Sequence, residues 1–500
     1  MGLEKLDPIL KFVPGIKKPS KPLSFREKLK WTAIIMSVYF LMFSTPALGV
    51  SVPAINSSLF TLVNTIFAAR FGTLVTVGIG PIVLSSIVLQ MLQGAGVIKM
   101  DLNDVEQKGR FQAIQKLSAI AIAFIEAVIF TNQLVVNQAL IHEVNGAVSP
   151  LLFTAVAVQI ALAAIVIIFL DESMVKYGIT SGINLFIAGG IAFAIVSGTA
   201  TVLLPAAAHA IGSGKSTGIP LAIESFAPLL FTVVVFLISI YILDMKVELP
   251  LVFSQFRGVG GRFPIPFLYV SVLPVILAVS LTASLGVWSR VVAGYCGPGV
   301  SIVRFFAYYV TQCNPSAAGT QGSSVIAGGL FYLLQPLQES PYGAGVGVDY
   351  NSYFYQIGTS TSPLYIPGSQ VPILIPEWAH FVIYTIMLIV LCVIFGKFWV
   401  EMTGQSPKNM AEQLQDVGWQ IPGFRRDPRI IENVLNKYLP TITVLGSITV
   451  ALVAAFASLT GAIGNGMGIL LTAGIMYAVY QQMEQENMIK GYPALDRLLS

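Results

Sequence analysis

The sequence predicts an all-α membrane protein with ten transmembrane helices, and three observations lead to this fold class. Hydrophobic residues make up 55% of the 500 residues and charged residues only 10%, and the mean hydropathy is +0.78. A soluble chain of this length needs several charged surfaces, so the composition fits a bilayer instead. The apolar residues fall into stretches of about 20, the length of a span. Finally, the basic residues are distributed unevenly between these stretches.

Ten stretches are long and apolar enough to cross a bilayer. They are 32–52, 74–95, 117–138, 150–170, 183–204, 223–244, 267–288, 378–399, 440–460 and 467–484. An eleventh apolar stretch, 53–67, is half polar and too short to cross.

Lys and Arg set the orientation of the spans, because cytoplasmic loops carry an excess of them. The segment 1–31 before the first span holds eight of the 28 basic residues. From a cytoplasmic start, ten spans return the tail 485–500 to the cytoplasm. All but four basic residues then face inward; the exceptions are Arg70, Lys215, Arg290 and Arg304. The sequence therefore predicts a multi-pass protein of the cell membrane with both termini in the cytoplasm.

The spans divide into two groups of five, an N-terminal half at 32–204 and a C-terminal half at 223–484. Between them lies an external hinge at 205–222. An odd number of spans makes the second half enter the membrane with opposite polarity, as in inverted repeats. We therefore expect two inverted, pseudo-symmetric five-helix halves.

The second span opens with the irregular sequence "GIGP" at 78–81. Such a break at membrane depth is tolerated only where protein or a cavity covers it. Since it follows 53–67, we expect a half-helix that enters from outside, turns near Arg70 and leads into a wall helix. Ile79 and Val83 share a helix face, as Ile183 and Ile187 do in the fifth span; ordinary interhelical packing would also explain either pair.

Three connections are long. The cytoplasmic loops 245–266 and 400–439 carry basic residues far from any span end, which fits either a solvated loop or a surface for an anionic partner such as ribosomal RNA. The external loop 289–377 is too long for a simple connection, and it could cap, brace or bind. Its Cys296 and Cys313 face a compartment that permits a disulfide, although the sequence cannot show one.

No catalytic or metal-binding constellation is visible. "GSGKST" at 212–217 has His209 where a phosphate-binding loop needs its first glycine, and no HExxH or GxSxG pattern occurs. We predict neither an enzyme nor a cofactor. Glu126 is an acid within a span; without a second carboxylate at its depth, we expect a satisfied packing residue.

Several blocks, in order along the chain, resemble the SecY family of protein-conducting channels, especially its archaeal and eukaryotic type. They are "REKLKWTAIIMSVYFLM", "LVTVGIGPIVLSSIVLQML", "KMDLNDVEQKGRFQAIQKL", "LDESMVKYGITSGINLFIAGG", "YVSVLPVILAVSL", "FGKFWVEMTGQSPKNMAEQL" and "GNGMGILLTAGIMY". The resemblance covers nearly the whole chain outside 289–377. It implies two halves around an hourglass-shaped central pore with a re-entrant plug helix.

The resemblance also implies a site, position by position. The aliphatic ring at the pore waist corresponds to Ile79, Val83, Ile183, Ile187, Ile276 and Leu471. The plug corresponds to Ile55, Leu59, Leu62, Val63, Ile66 and Phe67. At a lateral gate between the second and seventh spans, Gln90 matches the family and Ser284 stands where Asn is frequent. The ribosome-docking positions are Arg257, Arg262, Arg425 and Arg426, with Arg429 a weaker candidate.

The function that the resemblance implies is a passive channel. It would pass unfolded secretory polypeptides across the membrane and release signal or transmembrane helices sideways into lipid. The implied partners are a SecE-like small subunit, a single-span SecG- or Sec-beta-like subunit, the ribosome, a nascent polypeptide with a signal sequence and membrane lipid. The alternative is a secondary transporter with five-plus-five inverted repeats, which should show a polar cluster at mid-membrane.

Overall fold

The computed structural model describes most of the chain. The described residues are 15–17, 19, 23–50, 67–94, 98, 105–136, 149–212, 218–249, 252–253, 263–270, 274–282, 285, 305–306, 308–309, 326–337, 342–343, 347–348, 350–364, 372–402, 405–417, 419–420, 428–464 and 466–491.

Five helices occupy the N-terminal half at the predicted spans. They are α1 (Phe25–Ser44), α2 (Gly80–Gly94), α3 (Val105–Val136), α4 (Pro150–Tyr177) and α5 (Gly182–Gly198). Helix α3 packs between α2 and α4, and α1 lies against α4. Helix α5 in turn contacts both α4 and α1.

Two helix ends differ from the predicted spans. Helix α1 ends at Ser44, before the predicted limit of 52, because the residue preceding Pro46 disfavours helical backbone. Helix α2 begins at Gly80, later than the predicted 74. The described residues between the two helices, 45–50 and 67–79, are joined by backbone hydrogen bonds. The Ala47 amide, for example, donates to the Gly72 carbonyl at 3.1 Å.

The predicted hinge 205–222 is largely helical. Helix α5 continues through a π-helical turn, Thr199–Leu203, into α6 (Leu204–Gly212). A short helix, α7 (Gly218–Glu224), follows and packs on α6 through small alanine side chains before α8 (Ala227–Asp244) begins. The connection between the halves is therefore a folded segment and not an extended loop.

The C-terminal half contains α8 and four further membrane helices. They are α9 (274–282), α12 (Glu377–Met402), α14 (Pro428–Leu459) and α15 (Gly466–Gly491). Helix α14 packs against α12 and α15, and α15 packs against α8. Helix α15 also contacts α5, so the fifth and tenth spans join the two halves.

Within the described residues, six helices are long and apolar enough to span a membrane, and two shorter apolar helices run at Gly80–Gln93 and Gly466–Gln481. The six are Gly109–Asn132, Pro150–Tyr177, Gly182–Gly212, Ile219–Asp244, Glu377–Glu401 and Arg429–Leu459. Helix α1 is less apolar because its first turns carry Arg26, Glu27, Lys28 and Lys30.

The strands are short antiparallel pairs outside the helical core. In the loop predicted to be external, β4 (Tyr308–Tyr309) pairs with β5 (Ile326–Gly328), β6 (Tyr342–Gly343) with β7 (Gly347–Val348), and β8 (Thr361–Leu364) with β9 (Ile373–Pro376). Two helices, α10 (Leu330–Leu333) and α11 (Tyr350–Thr359), accompany them. The described parts of this loop thus form small folded elements, and α10 and α11 pack against α12 of the C-terminal half.

Candidate functional site: an apolar ring and the joint before it

A tight joint connects the predicted plug to the second span. Residues 67–79 form consecutive turns, and the Ile79 amide donates to the Phe67 carbonyl at 2.8 Å. The Arg70 amide donates to the Val75 carbonyl at 3.1 Å within the same joint. The Ile79 carbonyl then accepts from the Val83 amide at 3.2 Å, which starts α2 and places both side chains on one face.

Gly78 is required by this geometry. Its φ is +60°, and a Cβ there would lie 2.1 Å from the Phe67 carbonyl oxygen. No L side chain fits at that distance without a shift of the backbone. The "GIGP" sequence therefore closes a backbone turn just before α2, and Pro81 lies in the first turn of α2, where proline is tolerated.

Tyr39 of α1 connects the joint to the fifth span. Its hydroxyl donates to the Ala68 carbonyl at 2.7 Å, and its ring stacks on Phe186 with centroids 4.5 Å apart. Tyr39 and Phe186 are fully buried. Ala68 has a φ of +47°, an unusual value for a residue with a side chain, so the hydroxyl helps to hold a strained turn.

Arg70 provides a second connection that the sequence did not reveal. Its guanidinium lies 5.7 Å from the centre of the Phe43 ring and 5.5 Å from that of Phe193. A cation between two aromatic faces is held electrostatically. Arg70, noted in the sequence as an external exception to the charge bias, thus ties the joint to α1 and α5.

Glu126 lies beside the joint, and the expectation for it was wrong in one respect. Its side chain is buried in α3 and its Oε2 has no hydrogen-bond partner among the described residues. A Cβ on Gly80 would lie 3.0 Å from this oxygen. Glu126 is buried as a packing residue would be, but its Oε2 is not satisfied, because the nearby Gly80 offers no side-chain donor.

Helix α5 is positioned by a carboxylate from another helix. The Ile183 amide donates to Asp171 Oδ1 of α4 at 2.9 Å, while Ser181, at the N-cap position of α5, makes no side-chain capping bond. A carboxylate at a helix N-terminus satisfies free amides and complements the helix dipole. Asp171 therefore fixes the start of the helix that carries Ile183 and Ile187.

All six predicted ring residues belong to one continuous apolar cluster that both halves build. Ile79, Val83, Ile187 and Leu471 are buried members of this cluster, and Ile183 and Ile276 are half-buried at its edge. All six positions therefore belong to the apolar core that the two halves share. The described residues include no group of three potential metal ligands.

Other predicted residues lie outside the described part. Of the predicted plug, only Phe67 is described, and it is 2% exposed. Ser284, Cys296 and Cys313 are outside the described residues; Gln90 lies in α2, but its side chain is not described.

The two basic loops that the sequence predicts to be cytoplasmic pair with each other, which the sequence did not indicate. In the first loop, β1 (Lys246–Leu249) pairs with β3 (Phe263–Pro266). Between them, β2 (Val252–Phe253) pairs with β10 (Trp419–Gln420) of the second loop. The residues Arg257, Arg262, Arg425 and Arg426 lie outside the described residues, but these strands flank them.

A small apolar core holds the two loops together. Ile265 of β3 is fully buried against α13 (Pro407–Val417) and the first turns of α14. The Tyr269 hydroxyl adds a bond to the Gln405 carbonyl at 2.9 Å. We call this unit, 245–266 with 405–439, the cytoplasmic subdomain. Arg429, in the first turn of α14, is exposed.

Taken together, fold and site define a multi-pass helical membrane protein whose apolar core is built by two groups of helices. Comparison with known proteins agrees with this class. The SecY family model matches residues 73–480. A protein translocase subunit SecY from Methanocaldococcus jannaschii is 36% identical over 509 aligned residues, covering 100% of both chains.

Solved structures show the same fold. The structure of a protein-conducting channel superposes with a TM-score of 0.75 at 36% identity, covering 98% of this chain and 99% of that one. Sec61 in the canine ribosome–channel complex from the endoplasmic reticulum gives a TM-score of 0.73 at 36% identity, with the same coverage. This coverage includes most of the external loop, beyond the reach of the motif resemblance.

The chain therefore belongs to the SecY family. Its fold is that of the ten-helix channel in two inverted halves with a plug, and it is a channel protein, not an enzyme.

Proposed function

We propose that this chain is the pore-forming subunit of a protein translocase, and that unfolded polypeptide crosses the membrane through the apolar ring. The observation that carries the proposal is that all six aliphatic ring positions belong to the one apolar core that both halves build. A narrow apolar constriction dewets and so resists ions. Because aliphatic side chains offer no specific polar contacts, many different polypeptide segments can pass.

The plug and the lateral gate complete this proposal. The proposed plug, 53–67, ends at Phe67. The Phe67 carbonyl accepts a hydrogen bond from the amide of Ile79, the residue just before α2, so the plug would move relative to a fixed joint. An apolar signal helix would leave between the second and seventh spans, past Gln90 and Ser284. Burial in lipid favours such a helix by about 25 cal/mol per Å² of apolar surface.

The cytoplasmic subdomain is the proposed ribosome-docking surface, through Arg257, Arg262, Arg425 and Arg426. Its two loops are joined by the β2–β10 pair, which supports their acting as one surface. Phosphate contacts from several arginines give a strong, salt-dependent attraction to RNA. The similar canine protein has been solved in a ribosome complex.

The remaining assignments of the proposal concern organisation. The halves are 32–204 and 223–484, with the hinge at 205–222, and the segments 1–31 and 485–500 lie in the cytoplasm. A SecE-like subunit clamps the halves, and a single-span SecG- or Sec-beta-like subunit lies beside them. A secondary transporter would need a polar coordinating centre, whereas the ring positions are apolar and the relatives are translocase subunits.

A crosslinking experiment tests the pore. A photoreactive residue replaces Ile187, which is 1% exposed, and in a matched variant it replaces Val196, which is 69% exposed on the same helix. The complex is reconstituted with its small partners and given ribosomes carrying a stalled secretory chain. We expect the Ile187 variant to crosslink to the middle of the nascent chain only when the signal sequence is intact, and the Val196 variant to reach lipid. Docked complexes without an Ile187 crosslink would reject the central pore.

The docking surface has its own test. Charge reversal of Arg257 with Arg425 is expected to weaken ribosome binding and to reduce its dependence on salt. Lys30→Glu, which changes charge near the start of α1 and far along the chain from both loops, is the matched control. Equal losses in both variants would indicate a general charge effect and reject the surface.

A further inference from the structure

The external helix α11 contacts both ends of the segment that joins the two halves. Tyr350, its first residue, donates its amide to Glu224 Oε1 at 2.9 Å. Glu224 is the last residue of α7, two residues beyond the predicted hinge and shortly before α8 begins at Ala227. A carboxylate at a helix N-terminus is favoured by the free amides and the helix dipole, so this bond fastens α11 to the end of the hinge.

The same residue reaches the beginning of the hinge. The Tyr350 side chain packs in a cluster with Leu203 and Ile463. Leu203 is fully buried and ends the π-helical turn, in which the Leu204 amide bonds to the Thr199 carbonyl. Such turns interrupt the regular helical hydrogen bonds and are frequent at functional positions. Tyr350 therefore covers the irregular turn where the fifth span leaves the membrane.

Two tyrosine hydroxyls of α11 also bind the end of the ninth span. Tyr350 donates to the Thr460 carbonyl and Tyr353 to the Leu459 carbonyl, each at 2.9 Å. The last carbonyls of a helix lack partners within the helix, so these hydroxyls complete the end of α14. Burial, with a smaller contribution from Glu224, raises the pKa of Tyr350, and the hydroxyl remains a donor.

We infer that α11 of the external loop is a pin for the hinge, with Tyr350 and Tyr353 as positioning residues that hold the hinge segment against the end of the ninth span. The pin sets how far the two halves separate in the resting protein. It gives the external loop a mechanical role that composition and length left open. The inference rests on the proposed division into two halves, but not on the transport of polypeptide.

Distance measurements between the halves test the pin without a substrate. Spin labels are placed at Gln112 on α3 and Glu412 on α13, both exposed. Pulsed electron paramagnetic resonance spectroscopy of the purified complex, without ribosomes or nascent chain, then gives the distribution of distances between the two labels. Tyr350→Phe is expected to raise the population with separated halves roughly fivefold, as for loss of one net hydrogen bond. Tyr350→Ala and Glu224→Ala should raise it further.

Tyr355 provides the matched control, since it lies on the same helix and is 72% exposed. Tyr355→Phe and Tyr355→Ala should leave the distribution unchanged. Wild-type distributions in Tyr350→Phe and Glu224→Ala would overturn the pin. Should Tyr350→Ala fail to fold, the hydroxyl deletions at Tyr350 and Tyr353 decide alone. The two experiments are independent. Rejection of the pin would not change the expected Ile187 crosslink, and absence of that crosslink would not change the expected distances.

Discussion

The second and fifth spans each carry a pair of the proposed ring residues, but the structure fixes the starts of these two helices in different ways. Just before α2, two backbone groups bind each other, because the Ile79 amide donates to the Phe67 carbonyl beside Gly78. At the start of α5, a side chain from another helix, Asp171, holds the Ile183 amide. The α2 residues therefore depend on the segment next to the plug, whereas those of α5 depend on α4.

This difference predicts separate roles. Movement of the proposed plug would act on the joint before α2, because Phe67 belongs to the joint and ends the proposed plug. Helix α5 is anchored on α4 and can keep its ring residues in place while the joint changes. Tyr39 and Arg70 are the connections between the two arrangements.

The largest effect is expected where the backbone makes the contact. Gly78→Ala forces the joint open, since its Cβ would lie 2.1 Å from the Phe67 oxygen. Backbone strain and a lost buried hydrogen bond together predict a loss of about 2–6 kcal/mol of stability. Thermal unfolding of the purified complex measures this loss.

A second glycine serves as the control for this variant. At Gly190 the nearest atom to a new Cβ is 3.8 Å away, so Gly190→Ala should be neutral or stabilising by up to about 1 kcal/mol. If both variants unfold at the same temperature, backbone contact does not fix the joint.

The next largest effect tests the start of α5. Asp171→Ala leaves the Ile183 amide without its acceptor, and we expect a loss of about 1–3 kcal/mol. The resting leak of ions in planar bilayers should rise with it, because two ring residues lose their anchor. Ser181→Ala should stay within about 0.5 kcal/mol of wild type. A Ser181 variant as damaged as the Asp171 variant would return the capping role to the local residue.

Tyr39→Phe examines the connection between the two spans. It removes the hydroxyl that binds the Ala68 carbonyl but keeps the ring on Phe186, so we expect a loss of about 1 kcal/mol. Tyr384→Phe is a matched control, because the Tyr384 hydroxyl is buried without a partner in the described structure and its removal should be neutral or stabilising. Equal unfolding temperatures for the two variants would contradict the connection.

The smallest effect is expected at Arg70. Arg70→Gln removes the cation between Phe43 and Phe193 and should cost about 0.5–1 kcal/mol, measured by the same unfolding. Arg70→Lys keeps the charge and should retain part of this. Equal losses in both variants would assign the contact to planar stacking, and no loss in either would remove Arg70 from the link.

Much of the fold could be predicted from the sequence, because apolar stretches and basic residues act locally and additively. Two missed details have local causes that hydropathy does not show. Helix α1 ends at Ser44, shortly before Pro46, and the π-helical turn at Thr199–Leu203 extends the fifth span into the predicted hinge. Glu126 was expected to be satisfied, but hydrogen-bond partners depend on the facing helix, which a single sequence does not identify.

The proposed ring positions could be identified from the sequence through the family motifs. The contacts that hold their helices in place could not. Asp171 lies 12 residues before its partner Ile183, and an acid near a span end is ordinarily read as a solvated charge. The pairing of β2 with β10 likewise joins two loops with no matching sequence signal.

By itself, the sequence determined the spans, the glycine joint and the family, since hydropathy and backbone requirements are properties of short segments. Only the tertiary structure decided what holds the ring and the hinge. The Tyr350 hydroxyl and the Thr460 carbonyl are 110 residues apart, and a bond across that distance exists only after the helices have packed. Such contacts depend on the relative placement of whole helices, which the residues at either end cannot specify alone.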